Sequence, residues 1–334
     1  MSGTEATAPV PLITVLGASG FVGAGVAAAL ARRPVRLRLV SRRPAGPPVP
    51  EAGRAAVETL RADVTDPEAL ARAVDGADAV VNVLLNDGGW RAAENDPASE
   101  AVNVGVVRGL AAVLRRGNGT GRPPVVVSSG AASQIGVPPD HPIDGSEPDR
   151  PETAYDRQKL AAEQALKAAT AEGVLRGISL RLPTVFGEAT GSGNADRGVV
   201  SLMIKRALAG EPIQMWHDGT VRRDLLHVSD VARAVEAALD QPDRLVGGHW
   251  VIGSGASPSL GEAFRTVADS VARHTGAPAV PVVCVQPPDH APVTDFKSVL
   301  IDPWRFHAVT GWKPELSLSE GVDRTVAALT VPLP

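Results

Sequence analysis

The segment that most limits how this chain can fold is Gly17-Ala-Ser-Gly20-Phe-Val-Gly23, set directly after the apolar run Pro11-Leu-Ile-Thr-Val-Leu16. An Ala-rich stretch over residues 24–32 follows and reads as a helix. Gly17 and Gly20 permit a tight turn and close approach of a pyrophosphate. Gly23 lets the helix pack on the strand, and the helix N-terminus favours negative charge. In a chain with 34 glycines such a string arises readily by chance, so its weight comes from its place between a first strand and a first helix.

The rest of the N-terminal half keeps that rhythm. Residues 35–40 alternate as a second strand, and 78–85, 124–127 and 177–182 read as further strands. Residues 100–115 and 152–172 read as helices between them. Strands spaced by helices predict an α/β fold: a Rossmann-type, doubly wound parallel sheet. Beyond residue 187 the rhythm loosens and Gly/Pro-rich connections multiply, which predicts a smaller C-terminal substrate-binding lobe. The division expected is a loose tail at 1–10 and a nucleotide-binding domain at 11–187 with return segments at about 221–252. The lobe then takes 188–220 and 253–334.

Composition excludes several classes. A net charge of −4 and a pI near 6.0 remove the usual electrostatic case for nucleic acid or a membrane surface. No apolar run approaches the roughly 18 residues of a membrane span. The N-terminus lacks a basic region followed by an apolar stretch, so it reads as a tail and not a signal peptide. The single cysteine excludes an internal disulfide and a metal cluster, pointing to a reducing cytoplasm. Cys284, in Val-Val-Cys-Val, reads as core.

Two local patterns carry chemistry. Tyr155, the only tyrosine, stands four residues before Lys159, one of five lysines. On a helix these share a face, so a phenol and an ammonium can address one ligand. At the end of the second strand, an acid would take the ribose hydroxyls of NAD and an arginine a 2′-phosphate. Ser41-Arg42-Arg43 stands there, which selects NADP(H). Asp63, followed by Val64, falls where a strand-end acid can meet the adenine or simply cap a turn.

Gly17 to Gly23, Asp63, Asn103, Ser128-Ser129, Tyr155-x-x-x-Lys159, Leu180-Arg-Leu-Pro-Thr-Val-Phe-Gly187 and Arg223-Asp-Leu-Leu-His-Val228 together resemble the extended short-chain dehydrogenase/reductase family over about residues 11–330. The runs from Leu16 to Gly23, Met215 to Val228 and Asp323 to Thr330 are most similar to actinobacterial dTDP-4-keto-6-deoxyhexose C-4 ketoreductases.

That resemblance implies a proton donor at Tyr155, supported by Lys159, which also binds the nicotinamide ribose and lowers the phenol pKa. It implies a serine hydroxyl that polarises the ketone. Counting from the strand favours Ser129; Ser128 and Ser133 stay open, because Gly130 and Ala131 depart from the family pattern. Cofactor contacts are implied at Gly17, Ser19, Gly20, Phe21, Val22, Gly23, Ser41, Arg42, Arg43, Asp63, Val64, Leu84, Pro183 and Val185. Arg223 matches the residue that clamps the substrate diphosphate, with Asn194, Arg197, Lys205, Trp216 and Lys297 as further substrate candidates; His227 reads as structural. Gly130-Ala131 lacks the Asp-Glu pair of the 4,6-dehydratases. The implied substrate is a dTDP-4-keto-6-deoxysugar, and the implied assembly a cytoplasmic homodimer. An NADP-binding regulator without turnover stays open as a reading from another class.

Overall fold

A computed structural model describes residues 10–43, 53–117, 121–188, 196, 198–216, 218–287 and 296–330. Strand β1 (Leu12–Leu16) runs into helix α1 (Phe21–Leu30), followed by β2 (Arg36–Ser41), β3 (Ala56–Arg61), α2 (Pro67–Val74) and β4 (Ala79–Asn82). A short helix α3 (Ala98–Glu100) and a π-turn (Ala101–Gly105) lead into α4 (Val106–Arg115), then β5 (Val125–Ala131) and α5 (Ala154–Ala171). Strands β6 (Arg176–Leu182) and β7 (Thr184–Phe186) close this half.

Four strands and six helices of the second half then alternate less regularly. They are α6 (Val199–Leu208), β8 (Ile213–Met215), β9 (Leu225–His227), α7 (Val228–Asp240), α8 (Pro242–Leu245), β10 (His249–Val251), α9 (Leu260–Thr275), β11 (Val282–Cys284), α10 (Trp304–Thr310) and α11 (Leu318–Thr330).

The main sheet has the order β10-β6-β5-β4-β1-β2-β3, and its pairings are parallel. The predicted doubly wound sheet is therefore present. The two sequence-adjacent halves part between β1 and β4, which opens a crevice at the carboxyl ends of those strands. One face is buried beneath α1 and α7, with Val26, Leu30, Val231 and Val235 against Val15, Leu37 and Val127. The other face packs α2, α4 and α5 through Leu70, Leu110 and Leu166. A separate apolar cluster joins α6, α9 and α11 through Ile204, Phe264 and Val326. Among the described residues no helix is long and apolar enough to cross a membrane.

Beyond residue 187 the sequence named few elements, and within the first half β3 and α2 also escaped it. β3 is an edge strand with most positions open to solvent, so it lacks the apolar run that marked its neighbours. α2 has only eight residues, although Asp66 caps it through Ala69 N and Pro67 opens it. Cys284 is a correction: it is exposed, because β11 pairs only with the short β8 and its last residue turns outward.

The sheet also buries charge. Arg181 on β6 is 0% exposed and Glu163 on α5 is 3% exposed. Arg181 Nε donates to Glu163 Oε2 at 2.9 Å and Nη2 to Oε1 at 2.8 Å. Burial raises the Glu163 pKa, but hydrogen bonds from His249 and Arg181 outweigh it and hold the carboxyl well below the usual range. Replacing Arg181 by Met takes both guanidinium hydrogen bonds from that buried carboxylate and leaves Lys167 and His249 as its charged partners, so a urea melt should show a loss of about 3 kcal/mol. At Gly23, an added Cβ would lie 2.0 Å from the Gly17 carbonyl oxygen. Gly23→Ala should therefore cost at least about 1–3 kcal/mol in the same measurement.

Candidate active site

The crevice between β1 and β4 opens into a cavity of about 570 Å³. Its walls bring together Gly17, Ser19, Gly20, Phe21, Val22, Ser41, Arg42, Arg43, Asp63, Val64, Leu84, Ser129, Tyr155, Lys159, Pro183, Thr184, Val185 and Arg223. Residues from Gly17 to Arg223 gather there because the parallel sheet delivers every strand's carboxyl end to one edge.

At one end lies the glycine turn. Gly17 adopts φ +89°, a left-handed conformation that side chains rarely take, and Leu84 backbone atoms crowd the place a Cβ would fill. Gly17 N and Ala18 N both donate to the Val40 carbonyl, tying the turn to β2. Gly20 caps α1 without a side chain, and the first turn of α1 carries no acid. The helix thus presents an unneutralised positive end to the cavity, which suits a pyrophosphate. Gly23 lies behind the turn and acts by packing, outside the cavity lining.

The end of β2 supplies two exposed guanidiniums, Arg42 and Arg43, both facing Asp87. Ser41 is buried, and its hydroxyl donates to the Arg43 carbonyl, so it shapes the turn that aims the arginines. Asp63 lines the cavity, but its Oδ1 accepts from Thr65 N at 3.1 Å and Thr65 Oγ1 at 2.7 Å. Those bonds lower its pKa and give it a turn-forming role.

At the other end, Thr153 caps α5 and starts the turn that carries Tyr155 and Lys159. Lys159 Nζ donates to the Ser129 carbonyl at 3.0 Å and reaches Ser129 Oγ at 3.3 Å. It lies 5.8 Å from the centre of the Tyr155 ring. Burial pushes Lys159 down to about 8. Burial and then the Asp156 carboxylate push the Tyr155 phenol above its ordinary value. The expected lowering of the phenol by Lys159 is thus not found in the free protein. Tyr155 is held as the neutral phenol, the form that can donate a proton.

The serines separate by what they touch. Ser128 accepts from Asn82 Nδ2 at 3.2 Å and is buried away from the cavity lining. Ser133 lines the cavity, but its hydroxyl donates to Asp156 Oδ1. Ser129 alone of the three lines the cavity and meets Lys159. Gly130 has a steric reason: an added Cβ would meet Gln134 Oε1 at 2.9 Å and Arg181 Cγ at 3.1 Å.

Sequence reading missed Asp156, Gln134 and Asp87. Asp156 is buried, and its Oδ2 accepts from Thr153 Oγ1 at 2.7 Å. With Ser133 on Oδ1, it ties the turn after β5 to the start of α5. The Thr-x-x-Asp spacing of a helix cap was the available signal. Gln134 Oε1 holds Ala131 N at 2.8 Å, a contact no sequence pattern marks.

Not every substrate candidate reaches the cavity. Arg223 does, with Nη1 donating to the carbonyls of Arg222, at 3.1 Å, and Lys297. Lys297 stands outside the lining and meets the site only by accepting from Arg223 through its carbonyl. Lys205 is exposed on α6, where its charge lowers the pKa of the cavity residue Asp196 against the larger effect of burial; Trp216 stands just past β8, outside the lining. Asn194 and Arg197 lie outside the described residues. His227 is structural: it caps α7, and its ring meets Ser229 Oγ at 2.8 Å and Glu188 Oε2 at 2.9 Å.

Known proteins are similar to this chain. The UDP-glucose 4-epimerase of Mycolicibacterium smegmatis is 29% identical over 273 residues, 80% of this chain and 82% of that one. The dTDP-6-deoxy-L-talose 4-dehydrogenase (NAD(P)(+)) of Kitasatospora kifunensis is 26% identical over 313 residues, 93% of each. The solved UDP-glucose 4-epimerase of Thermotoga maritima matches with a TM-score of 0.78 and 22% identity, over 95% of this chain and 98% of that one, a likeness of fold. The model of the NAD dependent epimerase/dehydratase family matches residues 13–253, and with the glycine turn, the Tyr155–Lys159 helix and the parallel sheet in place, the chain belongs to that family of extended short-chain dehydrogenase/reductases.

Proposed function

We propose that this protein reduces the C-4 ketone of a dTDP-4-keto-6-deoxyhexose to the 4-hydroxy sugar nucleotide, using NADPH. One observation carries the reading: Ser129, Tyr155 and Lys159 line one end of a cavity whose other end carries the glycine turn and the Arg42/Arg43 pair. The name of the Kitasatospora relative supports a dTDP-6-deoxysugar and its fourth carbon as the place of reaction.

The residues fit a dinucleotide. Gly17 and Gly20 leave room for a pyrophosphate at the start of α1, Arg42 and Arg43 suit a 2′-phosphate, and Pro183 to Val185 border the nicotinamide end. When bound, the reduced coenzyme supplies a hydride to the ketone carbon. Tyr155, kept protonated by its surroundings, gives its proton to the carbonyl oxygen. Ser129 donates a hydrogen bond to that oxygen and stabilises the charge that develops there. Lys159, as an ammonium, stabilises the phenolate that Tyr155 becomes. Arg223 clamps the substrate diphosphate.

The same turn argues against dehydration. An added Cβ at Gly130 would press on Gln134 Oε1 and Arg181 Cγ, so an acid at this position requires those side chains to shift. A second reading, epimerisation at the same carbon, is favoured by the Mycolicibacterium relative. Product NMR separates the two, because an epimerase consumes no net NADPH.

Tyr155→Phe should lower the rate of NADPH oxidation with a dTDP-4-keto-6-deoxyglucose-type substrate by about 10²–10⁴-fold, with NADPH affinity within about threefold of wild type. Tight NADPH binding without turnover on any 4-keto sugar nucleotide would sink the enzyme reading. Because Lys159 titrates at about 8, its charge is present below that pH and lost above it. NADPH affinity, followed by fluorescence, should weaken as pH rises through about 8. Lys159→Met should bind weakly throughout and lack that limb.

A further inference from the structure

The loop after β4 places an acid against the two arginines that end β2. Asp87 Oδ2 accepts from Arg42 Nη2 at 2.7 Å and from Arg43 Nη2 at 3.2 Å. All three residues line the cavity. In the sheet, β4 and β2 flank β1, whose carboxyl end carries the glycine turn. The bridge therefore links the two strands on either side of that turn. Asn86 holds the loop in shape: its Oδ1 accepts from Gly88 N at 2.9 Å and its Nδ2 donates to Asp96 Oδ2 at 3.2 Å.

We propose that Asp87 is a coenzyme-specificity residue, whose carboxylate competes with a ribose 2′-phosphate for Arg42 and Arg43. The inference rests on the proposed placing of the coenzyme ribose at the end of β2. Both arginines converge on one carboxylate oxygen, as they would on a phosphate oxygen, so the acid and the phosphate use the same donors. A bound 2′-phosphate must break or share the bridge and also meets the repulsion of Asp87. A coenzyme with free ribose hydroxyls meets neither, and leaves the bridge standing. Asp87 thus narrows the advantage that two arginines alone would give a 2′-phosphate. Because the three side chains are each about half exposed, solvent screens the bridge and keeps the effect within about an order of magnitude.

The test is direct binding of NADPH and of NADH to the full chain by calorimetry, in wild type and Asp87→Asn. Asn keeps the size of the side chain and removes its charge, and the exposed position tolerates the change. Asp87→Asn should tighten NADPH roughly fivefold to tenfold and leave NADH within about twofold. An unchanged ratio of the two affinities, or an equal change in both, overturns the proposal. The NADPH assignment fails separately. If wild type prefers NADH while Asp87→Asn still moves the ratio, Asp87 keeps its role and the assignment falls. If wild type prefers NADPH and the ratio does not move, the reverse holds.

Discussion

The buried pair of Arg181 and Glu163 is the interaction on which the geometry of the reactive end depends. Glu163 lies one turn beyond Lys159 on α5, and Arg181 lies on β6, beside the end of β5. Their hydrogen bonds fix the helix against the sheet in both register and rotation. Further partners extend the lock: Ser179 Oγ and Gln134 Nε2 donate to Glu163, and Arg181 Nη2 reaches Asp149 Oδ2 at 3.0 Å. Gln134 in turn holds Ala131 N, so the strand end bearing Ser129 is set by the same network. Such a pair adds little net stability over apolar packing, because desolvation offsets most of the attraction. What it supplies here is a single allowed position of α5 over β5.

That position explains the departure at Gly130. The space a side chain would need is already filled by Arg181, Gln134 and Ser179. The strand end therefore offers one hydroxyl to the cavity, and Lys159 is drawn to it. Asp156 completes the bracing from the opposite side through Ser133 and Thr153. After burial, the larger cause, it also pushes the phenol's pKa up, because a buried carboxylate next to Tyr155 disfavours a second negative charge.

At the coenzyme end the control is different. The turn after β1 is built by backbone, where the absence of Cβ atoms makes the room. The turn after β2 is built by side chains, with Ser41 spent on its own loop and the arginines answering to Asp87. One end is set by backbone and the other by side chains.

The sheet class, the glycine turn, the Tyr155–Lys159 helix and the Arg42/Arg43 pair were all legible in order and spacing. Each depends on neighbours within one helical turn or one strand-turn-helix unit, and local periodicity records such neighbours. Ser129 was favoured by its place after the strand but not separated from Ser128 and Ser133, and the edge strand β3, the outward Cys284 and the parts played by Asp156, Gln134 and Asp87 were not legible. Each is decided by a partner distant in sequence: Ser133 for Asp156, Lys159 for Ser129, Arg42 for Asp87. Lys205 and Trp216 looked like site residues because charge and aromaticity are visible in any sequence, while the wall they face is not. By itself the sequence determined which elements form and which chemical groups they carry. Only the tertiary structure decided which hydroxyl meets the lysine and what holds the phenol neutral, because burial and long-range contact set both.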